Sequence, residues 1–155
     1  MSDVFTKSKR SEVMSHIRSR DTGPERTVRS MLHRMGYRFR LHRKDLPGKP
    51  DIVLPRYRAV VLVHGCFWHR HPGCRFAYVP KSRKAFWQEK FADNVRRDRS
   101  VRKQLATLGW RVEVVWECEL RCPAKVAARL DGFLRAAKVA PREATSGRRA
   151  HQTWR

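Results

Sequence analysis

The 155-residue chain carries 36 Lys and Arg against 14 Asp and Glu, and this formal net charge of +22 predicts a polyanionic partner, with nucleic acid first. Its length predicts one domain, and its 41% hydrophobic residues are enough to build a core without disulfides. The longest apolar run, Ala59 to Val63, is too short for a membrane span, and the first residues lack the apolar stretch of a signal peptide. We therefore expect a cytoplasmic protein with reduced cysteines and no membrane partner.

The charge divides the chain into three parts. Residues 1–20 carry a net charge of +3 with little apolar content, which predicts a basic N-terminal arm that contacts DNA. Residues 138–155 carry +4 among small and polar residues, which predicts a disordered basic tail. The remaining +15 lies on residues 21–137, which are therefore predicted to form a folded domain that is itself basic.

The first half of this domain begins with a helix and continues with short strands. Thr22-Gly-Pro-Glu25 has the spacing of a capping box, and Gly36 ends the helical pattern that follows it. The alternating segment Tyr37–Leu41 and the β-branched runs Asp51–Leu54 and Ala59–Val63 predict strands, of which the last two form a hairpin.

The second half begins with a predicted loop over residues 64–80. A long helix follows from about Ser82 to Leu108, and a strand is predicted over residues 110–116. The apolar face of this helix is predicted to comprise Phe86, Phe91, Val95, Val101, Leu105 and Leu108. Val126, Leu130 and Phe133 predict a last helix. This order predicts an α/β domain with a small central mixed sheet flanked by helices.

Cysteine and histidine cluster in the predicted loop. Cys66, His71 and Cys74 lie close together, and Cys118 follows the last predicted strand. Thiolate and imidazole ligands in a set of four suit tetrahedral Zn²⁺, and a closed set of four predicts a structural role. The spacing leaves Cys122 and His69 as alternative ligands, and ordinary buried thiols as the alternative to a metal.

A carboxylate and several histidines form a second candidate site. Asp51 follows Pro50 at the start of a predicted strand, where many metal-dependent nucleases place a ligand for Mg²⁺; the alternative is a turn residue that caps the preceding loop. His64 and His69 are candidates to accept a proton from water, and the alternatives are a zinc ligand or a surface phosphate contact. Glu25 lies where a carboxylate stabilises the helix dipole, and the pattern assigns it no further role.

Aromatic residues lie beside these histidines. Phe67, Trp68 and Trp87 are flanked by charged residues, and aromatic side chains in such surroundings can wedge between bases. The alternative is that they belong to the core.

These segments together resemble the very short patch repair (Vsr) mismatch endonucleases from about residue 5 to residue 135. The matching segments are Arg20-Asp-Thr22 with Glu25, Leu46-Pro-Gly-Lys-Pro-Asp51, His64-Gly-Cys-Phe-Trp-His69, Phe86-Trp87 with Glu89-Lys90, Asn94, Arg97-Asp-Arg99, Leu108-Gly-Trp-Arg-Val112, and Val115-Trp-Glu-Cys118.

The resemblance implies a restriction-endonuclease-like fold and an Mg²⁺-dependent nick of one DNA strand, 5′ to the T of a T:G mismatch that arises by deamination of 5-methylcytosine. It implies that Asp51 and the main-chain carbonyl of Val63 bind Mg²⁺, that His69 activates the attacking water, and that Glu25 and His64 hold metal-bound waters. It also implies a structural zinc ion and an aromatic wedge, whose residues are Cys66, His71, Cys74 and Cys118 for zinc, and Phe67, Trp68 and Trp87 for the wedge.

The sequence departs from related nucleases, because Val63 and Gly65 stand near the positions of their second acidic residue and lysine. A histidine must then supply what lysine supplies elsewhere. The resemblance further implies a monomer, association with the nucleoid when DNA is bound, and a link to mismatch-repair proteins. Two other functions stay open: a zinc-stabilised nucleic-acid-binding module without catalysis, and a restriction nuclease that cuts unmodified duplex.

Overall fold

A mixed four-stranded sheet with helices on both faces is seen in the computed structural model, which describes residues 20–137 together with Thr6, Ser8 and Lys9. The helices and strands in chain order are α1 (Gly23–Arg34), β1 (Arg40–Leu41), β2 (Ile52–Leu54), β3 (Ala59–His64), α2 (Cys66–His69), α3 (Lys84–Thr107), β4 (Arg111–Trp116) and α4 (Pro123–Arg135), with 3-10 helices at Pro55–Tyr57 and Glu117–Arg121. Almost all of the predicted arm and the whole predicted tail lie outside the described residues.

The strands follow one another across the sheet in the order β1-β2-β3-β4. β1 pairs antiparallel with β2 and β2 antiparallel with β3, whereas β3 and β4 are parallel. In the β2–β3 hairpin Ile52 lies opposite Val61, which brings the start of β2 beside the end of β3. In the parallel pair His64 lies opposite Trp116. The predicted mixed sheet flanked by helices is confirmed.

Strand β3 is buried on both faces, as its unbroken apolar run requires. Ala59, Val61 and Val63 pack into a core with α1 and α4. Val60 and Leu62 face the opposite core, which α3 covers. The end of β3 is therefore held between two packed layers, and helix α2, which follows it, starts from a fixed position.

Helix α1 begins as its sequence predicts. Thr22 is the N-cap, and its hydroxyl accepts a hydrogen bond from the main-chain N–H of Glu25 at 3.3 Å. The Glu25 carboxylate accepts from the N–H of Asp21 at 2.9 Å instead of from that of Thr22. The cap thus fixes Glu25 in the first turn, where it is buried.

Three local predictions are wrong in detail. The segment Tyr37–Leu41 forms a strand only at Arg40–Leu41, because the N–H of Tyr37 bonds the carbonyl of Leu32 to close α1. The predicted loop 64–80 contains the one-turn helix α2. Phe86 and Leu108 of the predicted apolar face are exposed, and Trp87 is buried in place of Phe86 because adjacent helical residues point about 100° apart.

No helix within the described part of the chain is long and apolar enough to cross a membrane.

Candidate active site

An open cleft of about 1110 Å³ lies at the edge of the sheet where β2 begins and β3 ends. It receives side chains from α1, the two strands, α2 and α3. Its lining includes the predicted catalytic residues and Mg²⁺ ligands, namely Glu25, Asp51, Val63, His64 and His69. Residues that are distant in the sequence are thus brought to one place.

Asp51 is the carboxylate at the floor of this cleft. Its Oδ2 accepts a hydrogen bond from the main-chain N–H of Val63 at 2.9 Å, a contact that follows from the hairpin register. Burial raises the pKa of Asp51 from 3.8 to about 6, and the nearby Glu25 carboxylate adds to this rise against the opposing Val63 hydrogen bond. A carboxylate in such a place is stabilised by any cation that enters the cleft.

Two histidines stack face to face beside Asp51. The rings of His64 and His69 are 3.9 Å apart at an interplanar angle of 7°. His64 is buried, and its pKa is lowered to about 4 by burial and then by the neighbouring His69. His64 is therefore neutral at pH 7.

His69 is oriented by an aspartate of helix α3. Its Nδ1 lies 2.7 Å from Oδ2 of Asp98. When Asp98 is ionised, its carboxylate accepts a hydrogen bond from Nδ1–H, and the proton held on Nδ1 leaves the Nε2 lone pair of a neutral His69 free. A histidine that a carboxylate holds in one tautomer is suited to accept a proton from water.

Glu25 takes part in a partly buried ionic cluster at the α1 side of the cleft. Its Oε2 accepts from the Arg29 guanidinium at 3.0 Å, and the other terminal nitrogen of Arg29 bonds Oδ1 of Asp21 at 2.7 Å. His42 joins the cluster, with Nε2 at 2.9 Å from Arg29. Glu25 is only 3% exposed, so Arg29 is the group that compensates its charge.

The predicted zinc ligands lie together and are not part of the cleft lining. One ligand atom each of Cys66, His71, Cys74 and Cys118 lies within 4.8 Å of the others. Nδ1 of His71 is 3.6 Å from Sγ of Cys66 and 3.3 Å from Sγ of Cys118. The two nitrogen–sulfur separations match the edges of a tetrahedron with zinc–ligand bonds of about 2.0–2.3 Å. The donor set therefore fits zinc.

The alternative ligands do not belong to this group. Cys122 is an exposed thiol beyond the 3-10 helix that carries Cys118. His69 groups with His64 and Asp98 instead.

The three predicted wedge residues belong to one aromatic cluster. The ring of Phe67 contacts those of Trp68, Trp87 and Phe91, at centroid distances of 5.0, 5.6 and 5.2 Å. Phe67 and Trp68 are half-buried and line the cleft, whereas Trp87 is 8% exposed. The rings of Phe67 and Trp68 thus pack against a buried Trp87.

Asp98 and Arg29 are functional candidates to which the sequence pattern assigned no role. Asp98 interrupts a run of arginines on α3, and Arg29 lies one turn after Glu25. The sequence positions of both residues are noticeable. The pairing of Asp98 with His69 is not visible in the sequence, because the two residues are 29 positions apart. Asn94 is a third, because its side chain donates to the carbonyl of Trp68 at 3.1 Å and holds α2 against α3.

Known proteins resemble this chain in sequence. The family model of the DNA mismatch endonuclease Vsr matches residues 2–75. A type II nicking enzyme, V.XorIIP of Xanthomonas oryzae pv. oryzae, is 52% identical over 86% of this chain and 98% of its own. The DNA mismatch endonuclease Vsr of Escherichia coli is 48% identical over 78% of this chain and 77% of its own.

A solved structure shares the fold. The catalytic domain of the homing endonuclease I-Bth0305I superposes with a TM-score of 0.51 at 22% identity, covering 73% of this chain and 94% of that domain. The level of identity to the nicking enzyme and to the mismatch endonuclease, over most of the length of each, shows that this chain belongs to the Vsr family.

Proposed function

We propose that this protein is an Mg²⁺-dependent DNA endonuclease that nicks one strand of a duplex 5′ to the T of a T:G mismatch arising from 5-methylcytosine deamination. The observation that carries the proposal is the meeting of Asp51 with the Asp98–His69 pair in one cleft of a strongly basic domain. The relatives that are named mismatch endonuclease and nicking enzymes support it. This step would start very short patch repair.

His69 is the proton acceptor in this proposal. Asp98 holds its Nδ1 proton, so Nε2 takes the proton of the water that attacks the phosphodiester. The stacked His64 stays neutral and places no positive charge beside His69. Histidine thereby takes the part that lysine takes in related nucleases.

Asp51 and the main-chain carbonyl of Val63 are the proposed protein ligands of Mg²⁺. Both main-chain polar groups of a strand residue point to the same side, and the N–H of Val63 points to Asp51. A buried carboxylate and a carbonyl are hard oxygen donors of the kind Mg²⁺ prefers. When bound, Mg²⁺ supplies positive charge against the phosphate and the leaving oxygen.

Glu25 is proposed to hold water by hydrogen bonds at the α1 side of the cleft, together with His64 at the end of β3. The ion pair with Arg29 keeps the Glu25 carboxylate in one orientation. A fixed acceptor of this kind orders water without any rearrangement at the moment of reaction.

Recognition of the mismatch is assigned to Phe67 and Trp68, supported by Trp87. A T:G wobble pair is less stable than a matched pair. Unstacking it from the neighbouring base pair therefore costs less free energy, which favours insertion of aromatic rings at the mismatch. A structural zinc ion on Cys66, His71, Cys74 and Cys118 would fix the first residue of α2 and hence the wedge. A monomer and a link to mismatch-repair proteins stay predictions of the family resemblance.

The test is a nicking assay on one labelled duplex with a T:G mismatch, its matched T:A control, and Mg²⁺ present or absent. We expect a metal-dependent nick beside the mismatched T and none in the control. Equal cutting of both duplexes would identify a restriction nuclease instead.

Asp51→Ala separates catalysis from binding. We expect this variant to lose nicking and to keep DNA affinity, whereas Asp93→Ala, which removes an exposed carboxylate on α3, nicks normally. Wild-type nicking by Asp51→Ala would contradict the assignment. DNA binding by the wild type without any nick, on duplexes that include the methylation site of the host, would favour the zinc-stabilised binding module.

A further inference from the structure

Tyr78 is the most exposed large apolar residue that the structure describes, at 62%. It lies four positions after the candidate zinc ligand Cys74 and belongs to the aromatic cluster, since its ring lies 5.1 Å from that of Phe67. Phe86, at the other end of the cluster, is less exposed and lies under the Arg83 guanidinium at 4.4 Å. Tyr78 therefore presents the larger open aromatic face beside the proposed wedge.

The main chain around Tyr78 is held in place by Arg70. The Arg70 guanidinium donates to the carbonyl oxygens of Phe67, Ala77 and Tyr78 at 3.2, 2.6 and 3.0 Å. It also stacks on the ring of Phe91 at 3.9 Å. One side chain thus ties the end of α2, the loop after Cys74 and helix α3 together. Tyr78 is exposed on a segment whose main chain is already held in place. Binding over its ring would therefore cost little main-chain conformational entropy.

The segment of chain that follows Tyr78 carries positive charge. Lys81, Arg83 and Lys84 follow it within six positions, and all three are exposed. An exposed aromatic ring followed along the chain by exposed lysine and arginine matches a DNA strand, whose bases stack on rings while its phosphates meet cations. A protein partner would be expected to bury more apolar surface than this single ring and would not need the cations.

We propose that Tyr78 is a further DNA-contacting residue, on whose ring a base next to the mismatch stacks when Phe67 and Trp68 enter the duplex. The proposal rests on the proposed function, because it places the DNA on the wedge side of the cleft. It assigns Tyr78 to recognition and binding, and gives it no part in the cleavage step.

The test compares dissociation constants, by fluorescence anisotropy, for a T:G duplex and its matched control. We expect Tyr78→Ala to weaken binding to the T:G duplex about ten-fold, the loss typical of one stacked base. Tyr78→Phe keeps the ring and stays within about two-fold of the wild type, because stacking does not use the hydroxyl. Leu108→Ala, which removes another exposed apolar side chain at the far end of α3, is the matched control and binds normally.

A salt series separates stacking from charge. The slope of log K against log salt is expected to be unchanged in Tyr78→Ala and to fall by about one in Lys81→Ala if that lysine meets a phosphate. The proposal is overturned if Tyr78→Ala binds the T:G duplex as the wild type does, or if Tyr78→Phe loses as much affinity as Tyr78→Ala.

Failure of this proposal can be distinguished from failure of the proposed function. Nicking by the wild type is measured on the same duplexes, so a failure to nick would contradict the function while the affinity ratio between Tyr78→Ala and Tyr78→Phe still decides the role of the ring. Melting temperatures equal to that of the wild type confirm that both variants are folded.

Discussion

At the scale of single residues, the fold disfavours the charged form of some side chains in the cleft and holds others in one orientation. Asp51 is the clearest case, because its carboxylate is buried and the Val63 N–H is its closest hydrogen-bond donor. The folded protein therefore holds the Asp51 proton up to about pH 6, whereas an unfolded carboxyl loses it near pH 3.8. Ionisation of Asp51 opposes folding unless a cation is bound.

We predict that Asp51→Asn stabilises the protein at pH 7.5 in Mg²⁺-free buffer, by up to about 3 kcal/mol. A raised carboxyl pKa lowers stability as the pH rises from about 4 to about 6, so the advantage of the variant shrinks as the pH falls through this range. Urea unfolding at several pH values measures it. Added Mg²⁺ should raise the melting temperature of the wild type alone, and an equal effect on the variant would argue against a ligand role.

We predict that Asp98→Asn lowers kcat for nicking about 10²-fold, the smaller end of general-base contributions, and leaves DNA affinity nearly unchanged. The amide can present an N–H to Nδ1 of His69 and thereby favour the tautomer whose proton blocks Nε2. Single-turnover kinetics with saturating enzyme measure the chemical step. Asp93→Asn on the same helix is the control, and a fall in affinity without a fall in kcat would contradict the positioning role.

At the scale of elements, the short helix α2 concentrates the functions of the site. Its four residues include a candidate zinc ligand, Cys66, the two half-buried wedge rings and the proposed base, His69. Such a short helix has little stability of its own, so it depends on its contacts. Glu117 accepts from its first N–H at 2.9 Å, and Asn94 donates to the carbonyl of Trp68.

The loop that precedes β2 is packed against helix α3 at Gly48. Gly48 has φ +70°, and a Cβ there would lie 2.6 Å from Cγ1 of Val101. We predict that Gly48→Ala destabilises the protein by about 1–3 kcal/mol more than Gly73→Ala, which has nearly the same φ but open space. Chemical denaturation measures both variants, and Val101→Ala should restore much of the loss. Equal destabilisation at the two glycines would show that the clash is relieved without strain.

At the scale of the whole molecule, two layers of core hold the cleft together, and a set of four sulfur and nitrogen donors links two segments of the chain that follow parallel strands. Helices α1 and α4 cover one face of the sheet and α3 the other. The four donors connect the loop after β3 to the 3-10 helix after β4. A metal bound there would tie the end of one strand to the end of its parallel neighbour.

We predict about one zinc ion per chain by elemental analysis, and a marked fall in melting temperature after a strong chelator removes it. Cys74→Ser should lose the metal and the stability, whereas Cys122→Ser, the exposed thiol outside the donor set, should keep both. A chelated protein that is free of metal and melts as before would contradict a structural zinc site.

Much of the fold follows from local pattern. The hairpin β2–β3, the three longer helices α1, α3 and α4, and the Thr22 cap are governed by the spacing of apolar residues and by caps, which act over a few positions. The segment Tyr37–Leu41 shows where this fails, because its alternation is overruled by the hydrogen bond that closes α1. Local pattern also cannot choose between Phe86 and Trp87, since the packing of α3 on the rest of the molecule decides which ring is buried.

The sequence by itself determined the basic character, the α/β class and the residue types of both candidate sites. Only the tertiary structure decided that Asp98 orients His69, that Arg29 compensates Glu25, and that Cys118 rather than Cys122 joins the sulfur cluster. The physical reason is distance along the chain. These pairings depend on strand register and on the seating of α3 against the sheet, which no local preference specifies.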